Sequence, residues 1–343
     1  MSDLVLDDLD LVPDDREWGG LAREVRNVFG TPEWISTWWR HFGGGRPLLL
    51  TSCRAPDGSL VAVLPLYVWR ARPLRIARFL GHGPGDALGP VCRPADRAAV
   101  ASALARRLDE LGVALFVGEN LPGEEGWGER LRARPLYREA SPTLTLDGTS
   151  WESLLGSWSR NLRSQVRSRE RKVAGEHSLS FRLADDPERF AGDFARLFEL
   201  HRSRWPDGSG FADAEAFHRE FATLARERGW ARLWLLEIDG ETRAAWYGFR
   251  FAGVESYYQA GRDPDWDRYR LGFVLLAHTI REAANDGARE YRFLRGDEDF
   301  KFRFASHDYG LETFALARSR LARTALGAGL RLPRPFLRRL RGA

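Results

Sequence analysis

The sequence has only two cysteines and one methionine in 343 residues. Cys53 and Cys92 lie far apart and show no CxxC or Cys/His spacing, so a disulfide framework and a zinc site are both disfavoured. The motifs GxGxxG and GxxxxGKS/T are also absent, which removes the usual fingerprints of Rossmann and P-loop nucleotide binding. We therefore predict no metal site and no nucleotide site of these two kinds.

Long apolar runs are missing as well. No stretch approaches the roughly 20 apolar residues of a membrane-spanning helix, and the opening MSDLVLDDLDLVPDD is acidic where a signal peptide would be basic and then apolar. We therefore expect a cytoplasmic protein. Its 43% hydrophobic content is ample for one large domain or two of ordinary size.

Lysine is almost absent, because Lys172 and Lys301 are the only two and arginine supplies the other basic side chains. The net charge of +4 depends on eight arginines in the last 26 residues, and without them the chain has 44 basic and 48 acidic residues. Charge alone therefore does not make the body a polyanion-binding domain. The Arg/Leu-rich tail, residues 317–343, has two interpretations. It is either a frayed end, or it docks peripherally on the inner face of an anionic membrane or on nucleic acid.

Two segments about 190 residues apart repeat the same order of signals. Each has two strands joined at an Asp-Gly turn, Asp57-Gly58 or Asp239-Gly240, then an amphipathic helix, a glycine and another apolar strand. The pattern predicts an α/β fold of tandem domains, each a mixed central sheet flanked by helices. We place the domains at residues 1–145 and 146–316, before the tail.

The strand VESYYQAG, the loop RDPDWDRYRLG and the following helix predict an anion site, because a helix start presents free N–H groups and a positive dipole end. The helix returns the chain so that YRFLRG lies parallel to VESYYQAG, and the acids DED then emerge at the edge where ligands bind in open α/β sheets. The basic helix SRNLRSQVRSRERKVAGE is either a solvated face or an electrostatic rim for an anionic ligand or lipid surface.

FELHRSRW, YYQAGRDP and LGFVLLAHTIREAANDGAREYRFLRGDEDFKFRF, in this order and spacing, resemble the GNAT-type acyltransferases of the CelD-like branch, which are related in fold to Fem-type peptidyltransferases. The resemblance is specific from about Trp151 to Asp308, and the order of elements extends it to the first half. It implies two GNAT-like domains, with acyl-CoA (acetyl-CoA above all) in the second. The chain departs from the family at Arg270-Leu271, where Ser-Pro is common, and at Arg292, where Asp is common.

The resemblance also implies site residues. The strand would pair with the pantetheine arm, and the loop and helix start would receive the pyrophosphate, which gives the following donor set: Gln259, Ala260, Arg268, Arg270, Leu271, Gly272, Phe273 and Val274. Because Arg292 replaces the acid within the strand, the proton acceptor is expected in the DED turn or outside it.

Glu298 is the leading proton acceptor, because burial beside aromatic side chains would raise its pKa. Asp297 is the second candidate, and its other interpretation is a solvated or capping turn residue. Lys301 either neutralises one of these acids, contacts substrate or a CoA phosphate, or is an ordinary surface lysine. Tyr258 is assigned as the acid that reprotonates the thiolate, with core packing as its alternative role. His201, Arg204, Trp205 and Tyr257 are expected to line the acceptor pocket, or to be packed.

The predicted function is an acyl-CoA-dependent N-acyltransferase in which the amine of a small molecule, sugar or amino-acid derivative attacks the thioester directly. One alternative keeps the fold and uses aminoacyl-tRNA as donor, so tRNA is then a partner. The other is a non-catalytic module that docks on a membrane or polyanion.

Overall fold

In the computed structural model, residues 4–71 and 74–329 are described. The elements up to residue 139 are β1 (Val5–Asp8), α1 (Arg16–Glu24), α2 (Pro32–Phe42), β2 (Leu48–Arg54), β3 (Leu60–Ala71), β4 (Leu74–Phe79), β5 (Val91–Cys92), α3 (Arg97–Glu110), β6 (Leu115–Pro122), α4 (Trp127–Arg130) and β7 (Arg134–Glu139). They continue with β8 (Pro142–Thr145), α5 (Trp151–Ser157), α6 (Arg160–Glu176), β9 (Leu179–Leu183), α7 (Pro187–Arg204), α8 (Gly210–Asp213), α9 (Glu215–Glu227), β10 (Ala231–Ile238), β11 (Glu241–Phe251) and β12 (Val254–Arg262). The last described elements are α10 (Leu271–Asn285), β13 (Glu290–Arg292), α11 (Asp299–Phe304), β14 (His307–Asp308), β15 (Leu311–Ala317) and α12 (Arg320–Gly329).

The described residues form two compact units, one up to residue 139 together with the segment from residue 309 onward, and the other of residues 140–308. The first contains the sheet β1-β2-β3-β4-β6-β15-β7, with β5 beside β3, and the second contains the sheet β14-β8-β13-β12-β11-β10-β9. Each sheet is mixed, because β4–β6 and β12–β13 are parallel pairs among antiparallel ones. The predicted α/β fold class, with two mixed sheets flanked by helices, is confirmed.

The unit boundaries differ from the predicted domains of residues 1–145 and 146–316. β8 starts at Pro142 and pairs with β13, so it belongs to the second sheet. β15 pairs with β6 and β7, so the chain returns to the first sheet after residue 308. Sequence periodicity identifies strands but does not specify which sheet a late strand joins, and that is why β15 was placed in the second domain.

Both predicted hairpins are present. β2 pairs antiparallel with β3, and β10 pairs antiparallel with β11. At the second turn Asp239 and Gly240 have φ of 52° and 83°, which is the left-handed pair that a type I′ turn requires. Asp-Gly at this position therefore sets the register of the strands that lead to the site.

Each unit has its own apolar core. In the second unit, α10 buries Leu271, Val274, Leu275 and Ile280 against the sheet. The predicted core stripe of α7 is also buried, namely Phe190, Phe194, Leu197, Phe198 and Leu200. In the first unit, Cys53 and Cys92 are buried free thiols, and burial raises the pKa of each to about 12.

Part of the Arg/Leu-rich tail is helical: α12 covers Arg320–Gly329 and packs on β15 through buried Ala322. The rest of the predicted tail, residues 330–343, lies outside the described residues. Over the described ranges, no helix has both the length and the apolar composition needed to cross a bilayer.

Candidate functional site

The central feature of the second unit is the separation of β12 from β13. The two strands pair in parallel through three positions, from Val254↔Glu290 to Ser256↔Arg292, and there β13 ends. β12 continues to Arg262 while pairing with β11 on its other side. No described strand pairs with the edge of β12 from residue 257 to 262. An extended ligand with amide groups can add to such an edge by backbone hydrogen bonds.

A β-bulge lies in the same stretch of β12. Gly248 pairs with Tyr257 and Tyr247 pairs with Gln259, so Tyr258 is the extra residue. Gly248 is required here, because a Cβ on it would lie 1.9 Å from the Ser256 carbonyl oxygen. Tyr257 and Tyr258 point to opposite faces of the sheet, and this decides which tyrosine can serve the site.

Tyr258 packs in an aromatic cluster on the α7 and α9 face. Its ring lies 5.4 Å from Phe249, 5.5 Å from His218 and 6.2 Å from Phe211. The structure therefore places Tyr258 among core rings rather than beside the DED turn, which agrees with its alternative role in packing.

Tyr257 lies on the other face, stacked on Trp246 at 5.8 Å and 6.3 Å from Phe300. Burial raises the pKa of Tyr257 to about 12, with the charge and hydrogen bond of Arg204 acting against this rise and the charge of the Glu298 carboxylate adding to it. Tyr257, Arg204 and Glu298 are thus brought together. Tyr257 was predicted as an acceptor-pocket residue, and its hydroxyl is close enough to Glu298 for the carboxylate to act on its pKa.

α7 brings Arg204 to this place by close packing on β12. Gly261 permits the contact, because a Cβ there would lie 2.4 Å from the backbone nitrogen of His201. Arg204 is exposed, its guanidinium 5.2 Å from the ring of Trp205, which is 48% exposed. Arg204 and Trp205 are therefore open to a substrate.

His201 is buried and has two partners. Its Nδ1–H donates to the Ala260 carbonyl at 3.1 Å, and its Nε2 contacts the Ser209 hydroxyl at 2.7 Å. Burial is the main cause that lowers the pKa of His201, so it stays neutral at pH 7. This bond also occupies the Ala260 oxygen. His201 therefore fixes the β12 edge rather than lining an acceptor pocket.

The DED turn is arranged around an ion pair between Glu298 and Lys301. The Lys301 ammonium is 2.8 Å from Glu298 Oε2 and donates to the Arg295 carbonyl at 2.7 Å. Gly296, at φ 131°, leaves the space for both, since a Cβ would lie 2.2 Å from Glu298 Oε2. Lys301 thus neutralises an acid, which is one of the roles predicted for it.

The expected burial of Glu298 is not observed. Its side chain is 54% exposed, whereas Lys301 is the buried partner at 4%. Asp297 is exposed too, and Glu298 at the start of α11 makes no side-chain cap bond. The turn points its acids outward because Lys301 takes the interior position.

The loop before α10 has the predicted form of an anion site. Arg270, at φ 56°, is the N-cap residue and makes no side-chain cap bond within the described chain. Gly272 is exposed, and a Cβ there would meet only the Arg262 Cδ, at 3.6 Å. Leu271 and Val274 point their side chains into the core, and Phe273 is half-buried. These residues can contribute backbone N–H groups.

Arg268 interacts with its neighbour Tyr269. It donates to the Tyr269 hydroxyl at 2.9 Å, and Tyr269 in turn donates to Glu176. Two other arginines, Arg169 on α6 and Arg303 on α11, instead lie beside Phe273, at 5.1 and 5.6 Å from its ring. They were not predicted as site residues; the charge run around Arg169 was the only sequence signal.

The region with this geometry matches a known family. Residues 160–302 match the family model described as Acetyltransferase (GNAT) domain, which lies inside the second unit. No curated protein matches the sequence. The chain carries a GNAT-type acetyltransferase domain. It is an acyltransferase, as predicted, and the CelD-like branch stays a prediction.

Several solved structures share the fold at low sequence identity. FemX has a TM-score of 0.68 and 12% identity, covering 94% of this chain and 99% of its own. L-PGS from Bacillus licheniformis has a TM-score of 0.62 and 13% identity, covering 98% of this chain and 99% of its own. The C-terminal domain of a candidate lysylphosphatidylglycerol synthetase from Agrobacterium fabrum has a TM-score of 0.59 and 10% identity, covering 94% of this chain and 97% of its own. Each covers both units of this chain.

Proposed function

We propose that the protein is an acyl-CoA-dependent N-acyltransferase that moves an acyl group, acetyl above all, to the amine of a small molecule, sugar or amino-acid derivative. The observation that carries the proposal is the unpaired edge of β12 leading to a helix start without a side-chain cap. An acyl-CoA has the matching parts in the same order, with amides in its pantetheine arm and phosphates beyond them.

The residues present fit this donor. The β12 edge at Gln259 and Ala260 offers backbone groups to the pantetheine amides. The Ala260 oxygen is not one of them, because it already accepts a hydrogen bond from His201. The start of α10 offers N–H groups and the Arg270 guanidinium to phosphate, and exposed Gly272 lets phosphate approach the backbone. Arg268 serves the loop indirectly, through Tyr269.

The acid–base groups follow from the same geometry. As the amine nitrogen bonds to the thioester carbonyl carbon and the C–S bond breaks, Glu298 accepts the amine proton and Tyr257 supplies a proton to the thiolate. A pKa of about 12 keeps the Tyr257 hydroxyl protonated at neutral pH. Tyr257 replaces Tyr258 in this role because Tyr258 lies on the opposite face. Lys301 holds Glu298 in position, and Arg204 and Trp205 contact the acceptor.

The test is a thermal-shift panel on the full chain with acetyl-CoA, longer acyl-CoAs, CoA and aminoacyl-tRNA. A donor at about 100 times its Kd stabilises the folded state by about 2.7 kcal/mol. We expect a saturable upward shift with acetyl-CoA, reduced in Arg270→Gln and unchanged in Arg171→Gln, an exposed arginine on α6. No shift with any CoA derivative would reject the donor.

Aminoacyl-tRNA is the second candidate donor, and the basic surface of α6 favours it. This helix carries basic residues at 160, 163, 167, 169, 171 and 172. Binding of tRNA that falls steeply with salt, without CoA affinity, would decide for it. Arg171→Gln would then weaken binding as well.

The non-catalytic alternative is set aside, because the chain carries an acetyltransferase domain. Contact between the basic tail and an anionic membrane remains a proposal. It predicts that the full chain sediments with vesicles containing phosphatidylserine and that a chain ending at residue 329 does not.

A further inference from the structure

Three arginines, two from helices and one from the loop before α10, come together beside the start of α10. Arg169 of α6 and Arg303 of α11 both lie against the ring of Phe273. Both also donate to one atom, Gln165 Oε1, at 3.2 and 3.1 Å. Arg270 is close enough for its charge to act on Arg169. The cluster therefore has three positive charges, and two of the guanidinium groups share a single neutral acceptor.

This arrangement is unfavourable without an anion. Burial, followed by the charges of Arg270 and Arg303, lowers the pKa of Arg169. Within residues 4–71 and 74–329, no carboxylate forms an ion pair with any of the three arginines. The nearby acids are otherwise engaged, since Glu170 pairs with Arg281 and Asp267 pairs with Arg262. Like charges held together destabilise the ligand-free protein.

Several other arginines of the unit have ion-pair partners. They include Arg182 with Asp193 at 2.7 Å, Arg243 with Asp263 at 3.0 Å, and Arg281 with Glu170 at 3.4 Å. The cluster differs because its shared acceptor is an amide. A glutamate at position 165 would neutralise much of the charge, and glutamine leaves it available to a ligand.

We propose that Gln165, Arg169, Arg270 and Arg303 form a phosphomonoester site that binds the 3′-phosphate of the acyl-CoA donor. This inference rests on the proposed function, and it adds that the enzyme distinguishes CoA from dephospho-CoA. A phosphomonoester carries about −1.5 to −2 charge at pH 7, against −1 for a diester, and so matches three guanidinium groups better. The pyrophosphate has its own place, at the N–H groups of the helix start.

The test compares the Kd of CoA with that of dephospho-CoA by calorimetry on the full chain. Loss of hydrogen bonds from charged donors costs about 1.5–3 kcal/mol, so wild-type protein should bind CoA roughly 10- to 100-fold more tightly. Arg169→Gln and Arg303→Gln should each bring CoA towards the affinity of dephospho-CoA, with little change for dephospho-CoA itself. Arg171→Gln, the same change elsewhere on α6, should keep the preference.

Gln165→Glu gives an opposite and independent readout. The new carboxylate should pair with Arg169 and Arg303, raise the melting temperature of the ligand-free protein by roughly 1–3 °C, and abolish the preference for CoA. A variant that was merely misfolded would melt earlier, so this result cannot come from damage.

Failure of the phosphate site can be distinguished from failure of the proposed acyl-CoA donor. Equal affinity of wild-type protein for CoA and dephospho-CoA would overturn the phosphate site and leave the donor intact. If neither binds, the donor proposal fails, and adenosine 3′,5′-bisphosphate against adenosine 5′-phosphate then tests the site alone. Preference for the bisphosphate, lost in Arg169→Gln, supports the site; no preference overturns it.

Discussion

Lys301 and Glu298 form an ion pair in which the lysine is buried and the carboxylate faces solvent. Their charged atoms are 2.8 Å apart, and the ammonium also holds the Arg295 carbonyl at 2.7 Å. Lys301 thereby joins both ends of the turn that follows β13. The buried ammonium holds the carboxylate in place, and the solvent-facing side of the carboxylate stays open to an incoming amine.

Replacing Lys301 by methionine should lower the free energy of unfolding by about 1–3 kcal/mol, because the Arg295 carbonyl loses its buried donor and Glu298 its counter-charge. Urea denaturation measures the change. The matched control is Lys172→Met, since Lys172 is exposed and lies 5.5 Å from the Tyr269 ring. That variant should lose less than about 1 kcal/mol. Equal losses would show that Lys301 does not hold the turn.

Glu298→Gln should reduce kcat by about 10²- to 10⁴-fold, because the amide cannot accept the amine proton. KM for acetyl-CoA should stay close to the wild-type value, since Glu298 is assigned no donor contact. Steady-state kinetics with an acceptor found by screening measures both constants. Asp297→Asn, which alters the neighbouring exposed acid, should retain most of the activity. The reverse pattern would assign the base to Asp297.

The two adjacent tyrosines give a sharp comparison. Tyr257→Phe should lower kcat by about 10-fold or more, because the thiolate loses its proton donor. Tyr258→Phe should leave kcat near wild type, since that ring lies 5.5 Å from His218 on the other face. The pH profile of kcat should show no fall from Tyr257 deprotonation below about pH 10, because the pKa is raised to about 12. A larger loss in Tyr258→Phe would return the role to Tyr258.

The sequence was sufficient for the hairpins, the helices and the parallel return of β13, because these depend on local periodicity and Asp-Gly turns. It was insufficient to choose between Tyr257 and Tyr258, because strand alternation puts the two on opposite faces without showing which face carries the acidic turn. The sequence likewise could not predict that Lys301, rather than Glu298, is the buried partner of the ion pair. This burial depends on a carbonyl, that of Arg295, which any residue would provide at that position.

Gly272→Ala should separate stability from donor binding. An alanine Cβ would meet only Arg262 Cδ, at 3.6 Å, so the variant should be as stable as wild type or up to about 1 kcal/mol more stable. The methyl group would nevertheless stand where phosphate approaches, and Kd for acetyl-CoA should rise. The contrast is Gly261→Ala, which should lose stability because its Cβ would lie 2.4 Å from backbone. Unchanged donor affinity in Gly272→Ala would move the phosphate away from this helix start.

His278 should make the protein less stable in acid. Its ring stacks on Phe181 at 3.9 Å, and Nδ1 accepts from Arg281 at 2.9 Å, so the proton of the neutral ring is on Nε2, which has no partner in the described chain. Burial, followed by the Arg281 charge, lowers the pKa of His278 to about 3.

Because the folded-state pKa of His278 lies below the unfolded value of about 6.5, the unfolded chain binds the proton more readily. The contribution of neutral His278 is therefore complete above pH 6.5 and is lost as pH falls towards 3. By pH 5 the total loss is about 2 kcal/mol. His278→Phe keeps the stacked ring and removes the titration, so its unfolding free energy, measured in urea at pH 7, 6 and 5, should fall less steeply than that of wild type. Parallel curves for the two proteins would mean that other groups cause the acid sensitivity.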